Sequence, residues 1–267
     1  MNSQLEILGC GPSPGTPVIG CPCAVCTSTE PKNKRLRTSA RIILDANSPS
    51  SHNILIDTSP DLRQQALRSA FSEIEAVLFT HAHADHILGL EELRGFFFKS
   101  QKAMPVYLSA ETLTEIKKVF HYIFSPAPEY KGTLPLLDLH RFEAHDQFSV
   151  ANTKIRTFTV EHGHLNVSAF RIGNLSYVTD VKAIPTAART AITGSEVLVL
   201  GALGEKPHPS HLSINEAITI AEELGVKSLY LTHLGHTVDY NLKQNQLPSW
   251  VKLCYDGLMI PFDASAS

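Results

Sequence analysis

The apolar and polar residues of this chain alternate in a pattern that predicts strands interleaved with helices. Short apolar runs bounded by turn-forming residues predict strands at residues 5–8, 40–44, 53–56, 75–79, 105–108, 154–160, 167–172, 175–178, 197–200, 228–231 and near 258–260. Helices are predicted at residues 60–70, 88–98, 109 or 110 to about 122, 184–190 and 213–224. Ser59 is the expected N-cap of the first helix, with Pro60 at its first position. Such an order in two halves predicts a layered α/β sandwich.

The most informative stretch, residues 80–86, reads Thr-His-Ala-His-Ala-Asp-His and directly follows an apolar run. Its potential metal ligands are His81, His83, Asp85 and His86. Two imidazoles two residues apart can bind one ion, and the carboxylate and third imidazole can serve a second ion nearby. Two such ions can hold a hydroxide and stabilise an in-line displacement at phosphorus. The alternative is a polar turn that is rich in histidine by chance, which is the weaker interpretation because apart from alanine every residue in 81–86 can bind metal.

Three later strands also end at potential ligands, and this repetition strengthens the metal hypothesis. The strand at 154–160 leads to His162 and His164, the strand at 175–178 to Asp180, and the strand at 228–231 to His233. A dinuclear site needs about seven or eight protein ligands, usually with a bridging carboxylate. His162 and His164 compete for one position, and we prefer His162 because it directly precedes Gly163 at the strand exit.

The expected assignment gives each ion its own set of ligands. His81, His83 and His162 would bind the first ion, Asp85, His86 and His233 the second, and Asp180 would bridge them.

These residues resemble the HxHxDH motif of the metallo-β-lactamase superfamily, with His162, Asp180 and His233 following in the order of that family's remaining ligands. The resemblance covers most of the chain. It implies a four-layer αββα sandwich with the metals at one edge of the two sheets. It also implies hydrolysis of an ester, most often a phosphodiester in members with a full dinuclear set. Since the sequence contains no internal repeat and no low-complexity linker, we expect one domain over residues 1–267.

A loop at about residues 9–26 contains Cys21, Cys23 and Cys26, which can occupy three corners of a tetrahedral zinc site. His236 is the best candidate for the fourth ligand. The alternative, three reduced buried thiols, is weaker because a loop rich in Gly and Pro would gain stability from a metal. This loop resembles the N-terminal region of the PhnP-type phosphoribosyl cyclic phosphodiesterases, which implies a structural zinc. A related loop occurs in the branch that takes part in PQQ biosynthesis.

Asp85 and His211 are the expected catalytic residues. His211 precedes the helix at 213–224, and the resemblance implies that a histidine in this region faces the metals and can protonate a leaving group. His208 is the alternative acid. Lys182 could contact phosphate, but a solvated lysine is the preferred interpretation.

Two further segments have open interpretations. Residues 32–37 carry four basic side chains and are expected to form a solvated loop, with phosphate contact as the alternative. Residues 120–135 could form a lid or simply pack against the fold.

The composition limits which binding partners and which cellular compartment are expected. With 267 residues, 43% of them hydrophobic, and a net charge of −3, the chain has a substantial core and no general attraction to nucleic acid or anionic lipid. No apolar stretch approaches the roughly 20 residues that cross a membrane. An odd number of cysteines and an N-terminus without a basic and then apolar region favour the cytoplasm.

The main functional hypothesis is therefore a phosphodiesterase on a small cyclic or activated diester. It would use two divalent ions (zinc or manganese) and one structural zinc, and could form a homodimer. The alternatives are a tRNA 3′-processing endonuclease, a glyoxalase II-like thioesterase, and a non-catalytic accessory or carrier protein of the PQQ branch. The nuclease would need an extended basic arm, for which only residues 32–37 qualify.

Overall fold

The computed structural model describes residues 3–46, 48, 51–127, 129 and 132–266. The strands of the first half are β1 Ser3–Gly9, β2 Ser39–Leu44, β3 His52–Ile56, β4 Ala76–Leu78, β5 Met104–Leu108, β6 Leu137–Arg141 and β7 Gln147–Val150. Those of the second half are β8 Thr153–His162, β9 Leu165–Ile172, β10 Leu175–Val178, β11 Val197–Gly201, β12 Ser228–Thr232, β13 Val251–Leu253 and β14 Met259–Phe262. Within the described residues they form two sheets, β14-β1-β2-β3-β4-β5-β6 and β13-β12-β11-β10-β9-β8-β7.

Helices cover the outer face of each sheet. They are α1 Ala24–Thr27, α2 Leu62–Arg68, α3 Ala84–Ile87, α4 Leu93–Ser100, α5 Ala110–Val119, α6 His121–Phe124, α7 Thr186–Ile192, α8 Ile214–Leu224 and α9 Tyr240–Gln244. One apolar core lies between the sheets, one between the first sheet and α2, α4 and α5, and one between the second sheet and α7 and α8. Because these cores separate four layers, the expected αββα sandwich is confirmed. In the part of the chain that is described, no helix is both long and apolar enough to cross a membrane.

The strand directions gather the polar strand ends at one edge. Strands β3, β4 and β5 run parallel to one another, as do β10, β11 and β12. Strand β8 is antiparallel to β9, which is antiparallel to β10, so β8 ends on the same side as β10. Loops at the carboxyl ends of parallel strands are where α/β folds place their chemistry.

Most predicted strands and helices are present, but two helix starts were wrong. The first helix begins at Leu62 with Asp61 as its N-cap, because Ser59 forms a turn in which its carbonyl accepts from the Leu62 amide. The helix expected at 88–98 begins only at Leu93. Residues 90–92 form a 3₁₀ turn instead, and the Gly89 amide donates to the Thr58 carbonyl at 2.9 Å rather than within a helix. Gly89 fits there because a Cβ would lie 2.1 Å from the Ser59 carbonyl oxygen.

The prediction of a solvated loop at residues 32–37 was wrong for Arg35, whereas Lys34 is exposed. Arg35 is only 1% exposed, and its guanidinium donates to the backbone carbonyls of Gly235 and Val238, which are distant in the sequence. The Arg37 guanidinium pairs with Asp61 at 3.1 Å, and the Lys34 amine donates to the Cys26 carbonyl. These basic groups therefore bind the protein itself.

Candidate metal centre

The histidine-rich loop follows β4 and leads into α3, so its ligands face the edge where the other polar strand ends meet. Strands β4, β8, β10 and β12 each end at or within three residues of a candidate ligand. His81, Asp85, His86, Asp180 and His233 are all at most 4% exposed, and His162 is 6% exposed. His164, the rival of His162, is exposed. The structure thus brings together the seven residues expected for the dinuclear site.

The ligand atoms form overlapping clusters, each with its atoms within 4.8 Å of one another. The clusters are His81, His83 and Asp180; Asp85, His86 and His233; and His162, Asp180 and His211. The two oxygens of Asp180 face different imidazoles: Oδ2 lies 3.1 Å from His86 Nε2, and Oδ1 lies 3.1 Å from His233 Nε2. Asp180 is therefore central to the centre, as a bridging carboxylate must be.

Several of these atoms are buried and have no hydrogen-bond partner. They are His81 Nε2, Asp85 Oδ2, His86 Nε2 and both ring nitrogens of His233. Leaving a buried polar atom unpaired costs about 1–3 kcal/mol, and proteins rarely accept several together. Divalent metals bind imidazole nitrogens and carboxylate oxygens, so the donor set fits metal ions.

The charges of the site are compatible with metal binding. Burial lowers the pKa of His81 well below its usual range, and burial also lowers the pKa of His83, so both rings are neutral ligands. Burial opposes ionisation of Asp85, but the adjacent rings of His233 and His86 outweigh it and hold the pKa of that carboxyl well below its usual range. Burial opposes protonation of His86, but Asp180 and Asp57 outweigh it and raise the pKa of His86 well above its usual range. Metals bind ionised carboxylates and neutral imidazoles, so metal binding would release the His86 proton.

Asp57 supports this centre and was not predicted from the sequence. It follows β3 and is fully buried. Its Oδ2 accepts from His86 Nδ1 at 2.7 Å and from the Thr80 hydroxyl at 2.8 Å, while Oδ1 accepts from the Thr80 amide at 2.8 Å. The Thr80 hydroxyl also lies 3.0 Å from His81 Nδ1. Asp57 therefore orients one metal-facing histidine directly and helps to fix the loop that carries another.

Replacing Asp57 with asparagine should weaken metal binding by about 10–100-fold, as is typical when the partner of a ligating histidine is lost. The amide keeps the shape but loses the charge that favours the His86 Nδ1 proton. Competition with a chelator would measure the affinity. Ser39→Ala is a suitable control, because the Ser39 hydroxyl is buried nearby but donates to the carbonyls of Ile56 and Asp57. If both variants keep the wild-type affinity, Asp57 does not tune the centre.

The more open side of the centre is lined by histidines. His83 is half-buried, and its ring centroid lies 5.2 Å from that of His162. His162 is held from behind by a hydrogen bond from Nδ1 to the Ser210 carbonyl, at 2.6 Å. His211 reaches the same place, with its ring 4.5 Å from His162 and 4.8 Å from His233. A substrate would approach the centre over these rings.

The other expected residues near this side have different surroundings. His208 contacts the His211 ring at 5.2 Å, and its Nδ1 hydrogen-bonds Ser210 at 3.2 Å. Lys182 is paired with Glu216 at 2.8 Å, which leaves its amine engaged by protein rather than directed at a phosphate.

His233 has a strained backbone, with a φ of +59° directly after β12. A residue with a side chain in this left-handed conformation costs about 1 kcal/mol or more, and such strain is often found at functional sites. Here it turns the imidazole towards the two carboxylates, 3.1 Å from Asp180 and 3.7 Å from Asp85.

The cysteine loop forms a second cluster. The sulfurs of Cys21, Cys23 and Cys26 lie 3.4, 3.5 and 3.6 Å from His236 Nδ1. Tetrahedral zinc, with Zn–S of about 2.3 Å and Zn–N of about 2.0–2.1 Å, implies sulfur–nitrogen distances of about 3.5 Å. The spacing therefore suits a Cys₃His zinc site.

Backbone amides donate to two sulfurs of this cluster, and the thiolate form is favoured at Cys23. The Cys26 amide donates to the Cys23 sulfur at 3.4 Å, and the Val18 amide donates to the Cys26 sulfur at 3.3 Å. The first of these bonds, together with His236, lowers the pKa of Cys23 to about 6. Zinc binds thiolates, so this residue is poised to bind it.

Comparison with known proteins supports a shared fold and family. A family model described as a beta-lactamase superfamily domain matches residues 52–234. A crystal structure of a diphosphatase from the PhnP family is 37% identical, with a TM-score of 0.89 and coverage of 98% of each chain. The zinc-bound PqqB of Methylobacterium extorquens has a TM-score of 0.76 at 16% identity, over 96% of this chain and 99% of that one, which indicates a shared fold.

A curated relative from Porphyromonas gingivalis, named octanoyltransferase, is 37% identical over 254 residues. The match includes 94% of this chain but only 50% of the relative, so the chain spans about half the length of that protein.

Proposed function

Since the chain belongs to the metallo-β-lactamase superfamily and is related to the PhnP family within it, we propose that it hydrolyses a small cyclic or activated phosphodiester with two divalent metal ions. The observation that carries this proposal is the set of buried, unpaired ligand atoms arranged around Asp180. Zinc and manganese both suit imidazole and carboxylate ligands. The cysteine cluster would hold a third ion, a structural zinc.

When bound, the two ions would supply an activated water near neutral pH and neutralise charge on the phosphate oxygens. The residues of the chain contribute position and protonation. Asp85 and Asp180 are ionised, since despite burial the nearby histidines hold both pKa values well below the usual range. Asp57 and the Ser210 carbonyl fix the rings of His86 and His162. Preorganised groups of this kind need little rearrangement when the reaction occurs.

His211 is the proposed donor of a proton to the leaving group. Its Nδ1 lies 3.9 Å from Asp180 Oδ1, and its side chain is 13% exposed, so it can reach both the centre and a bound substrate. Burial, followed by the charge of His233, lowers the pKa of His211 to about 3 in the free protein. A phosphate anion beside the ring raises the pKa, because an opposite charge favours the imidazolium. Substrate binding would therefore shift His211 towards the protonated form that an acid needs.

His211→Ala should lower turnover of a diester with a poor alkoxide leaving group by about 10²–10⁴-fold, the usual contribution of a general acid. An aryl diester whose leaving group needs no proton should lose much less. Steady-state rates on both substrates, with His208→Ala as the control, would measure the difference. Equal losses on the two substrates, or a larger selective loss in His208→Ala, would rule out this role for His211.

Hydrolysis of a diphosphate link is a second candidate, favoured by the 37% identity to a PhnP-family protein described as a diphosphatase. Both reactions break a P–O bond by in-line displacement, so the same ligand set serves both.

The remaining alternatives receive less support from the site. The basic residues 32–37 are bound to the protein itself, which disfavours an RNA-binding arm.

The proposal is tested by a substrate panel assayed with added Zn²⁺ or Mn²⁺ and after chelation. The panel contains an aryl phosphodiester, a ribose cyclic phosphate, cyclic nucleotides, a substituted diphosphate, precursor tRNA and a glutathione thioester. We expect metal-dependent hydrolysis of the small phosphoesters or the diphosphate. Preference for the tRNA or the thioester would select an alternative enzyme, and inactivity on every member with metals bound would favour a carrier.

A further inference from the structure

Arg35 is almost completely buried, and its guanidinium contacts one turn of the chain. Its Nη1 donates to the Gly235 carbonyl at 3.0 Å, and its Nη2 donates to the Val238 carbonyl at 2.7 Å. Nη2 also donates to Asn33 Oδ1 at 3.1 Å, and this bond orients the planar, forked guanidinium group. A buried cation with carbonyl partners is costly to place, so its position calls for an explanation.

The turn that Arg35 contacts, residues 232–238, carries a ligand of each metal cluster. His233 faces the dinuclear centre, and His236 lies among the three cysteine sulfurs. The amides of the turn are also held: Leu234 donates to the Cys10 carbonyl and Gly235 donates to the Leu203 carbonyl, each at 2.8 Å. His233 is the residue with the strained, left-handed backbone. Such a conformation persists only when surrounding contacts fix it.

Arg35 also connects this turn with the cysteine loop. Its backbone amide donates to the Thr16 carbonyl at 2.7 Å, and its carbonyl accepts from the Thr16 amide at 2.9 Å. The same residue therefore joins the loop that supplies three sulfurs to the turn that supplies two histidines. Only the planar fork of an arginine can reach both the Gly235 and Val238 carbonyls at once, whereas a lysine offers one donor group.

We propose that Arg35 is a positioning residue for the metal centre: by holding the carbonyls of Gly235 and Val238 it keeps residues 232–238 in the conformation that directs His233 at the metals. This inference rests on the dinuclear centre of the proposed function but not on its substrate. It is therefore tested on metal affinity, which does not depend on whether the substrate is a phosphodiester.

Arg171 provides a matched control for the alternative that Arg35 only stabilises the fold. Its guanidinium also donates to backbone carbonyls, to Gly173 at 3.1 Å, Ala191 at 3.0 Å and Thr193 at 2.6 Å. Arg171 on β9 pairs with Arg156 on β8. Arg156 precedes His162 by six residues along β8, a distance of roughly 20 Å. Losing the Arg171 fork should affect stability but not the metal centre.

The experiment compares Arg35→Lys with Arg171→Lys as full-length proteins with the cysteine-site metal retained. The apparent Kd of Co²⁺ or Mn²⁺ at the dinuclear centre is measured by chelator competition, and the visible absorption of Co²⁺ reports its coordination. We expect Arg35→Lys to weaken binding of at least one ion by about 10–100-fold and to change the cobalt spectrum. Arg171→Lys should leave both unchanged.

Two results would overturn the proposal. One is an unchanged metal affinity and cobalt spectrum in Arg35→Lys, whatever the change in Tm. The other is an equal loss of affinity in both arginine variants, which would indicate a general effect of stability. If Arg35→Lys does not fold, Asn33→Ala takes its place, because it removes the acceptor that orients the guanidinium. The Asn33 side chain also accepts from the Tyr240 amide and donates to Ser28 and Asp239, so Tm is measured beside the metal affinity. A loss of metal affinity in Asn33→Ala, smaller than the loss of about 10–100-fold expected for Arg35→Lys, supports the proposal. Wild-type affinity in Asn33→Ala contradicts it.

Discussion

Asp180→Asn is expected to reduce kcat/KM on an aryl phosphodiester by about 10³-fold or more. The two oxygens of Asp180 face imidazoles of the centre at 3.1 Å each, so the substitution would remove the charge that the two proposed metal positions share. Stabilisation of charge by bound metals is worth several kcal/mol, and about 1.4 kcal/mol corresponds to a tenfold change in rate. Kinetics and metal counting on the same preparation would measure the effect, since one active-site ion should also be lost.

His52→Gln is the control for this variant. His52 is a partly exposed histidine that pairs with Glu75 at the start of β3, on the strand end opposite Asp57. Its replacement should leave rate and metal content unchanged. Near-wild-type turnover of Asp180→Asn with both ions bound would contradict the bridging role.

Cys23→Ser is expected to lose one metal of about three per chain and to lower Tm by about 6 °C or more. Cys23 is the N-cap of α1, where its sulfur accepts the Cys26 amide and lies 3.5 Å from His236 Nδ1. Serine keeps a capping oxygen, so the loss would report the metal rather than the cap. Elemental analysis and thermal unfolding would measure both quantities.

Cys254→Ala is the control, because Cys254 is a buried thiol outside the cluster and its loss should leave the metal count intact. If Cys23→Ser retains all its metal, the cysteine cluster is not a zinc site.

Apolar runs allowed most of the fold to be predicted, because buried strands have a simple signal. Ala76, Val77 and Leu78 of β4 are completely buried and were assigned without difficulty. Strands β6, β7 and β13 were missed because all three are edge strands with mixed residues, such as Leu-Asp-Leu-His-Arg in β6. Edge strands have less burial and a weaker alternation, so the sequence pattern does not distinguish them from loops.

The clustering of the candidate ligands could be predicted from the sequence because the same signal recurs at several strand ends. Asp57 ends β3 in the same way, but a single aspartate after a strand is common in ordinary turns. Arg35 could not have been found, since its contacts are with residues about 200 positions away along the chain. A basic residue in a basic segment indicates solvent, and only tertiary packing reveals that this one is buried.

The central claim, two cooperating metal ions at the centre around Asp180, is tested most directly by titrating metal-stripped protein with Mn²⁺ while following hydrolysis of the substrate that the panel identifies. Bound manganese is counted at each point, and the cysteine site is kept filled with zinc. The account predicts little turnover with the first equivalent and a rise that saturates when two ions per chain are bound at this centre. Full activity at one ion, or turnover that does not depend on bound metal, would contradict it.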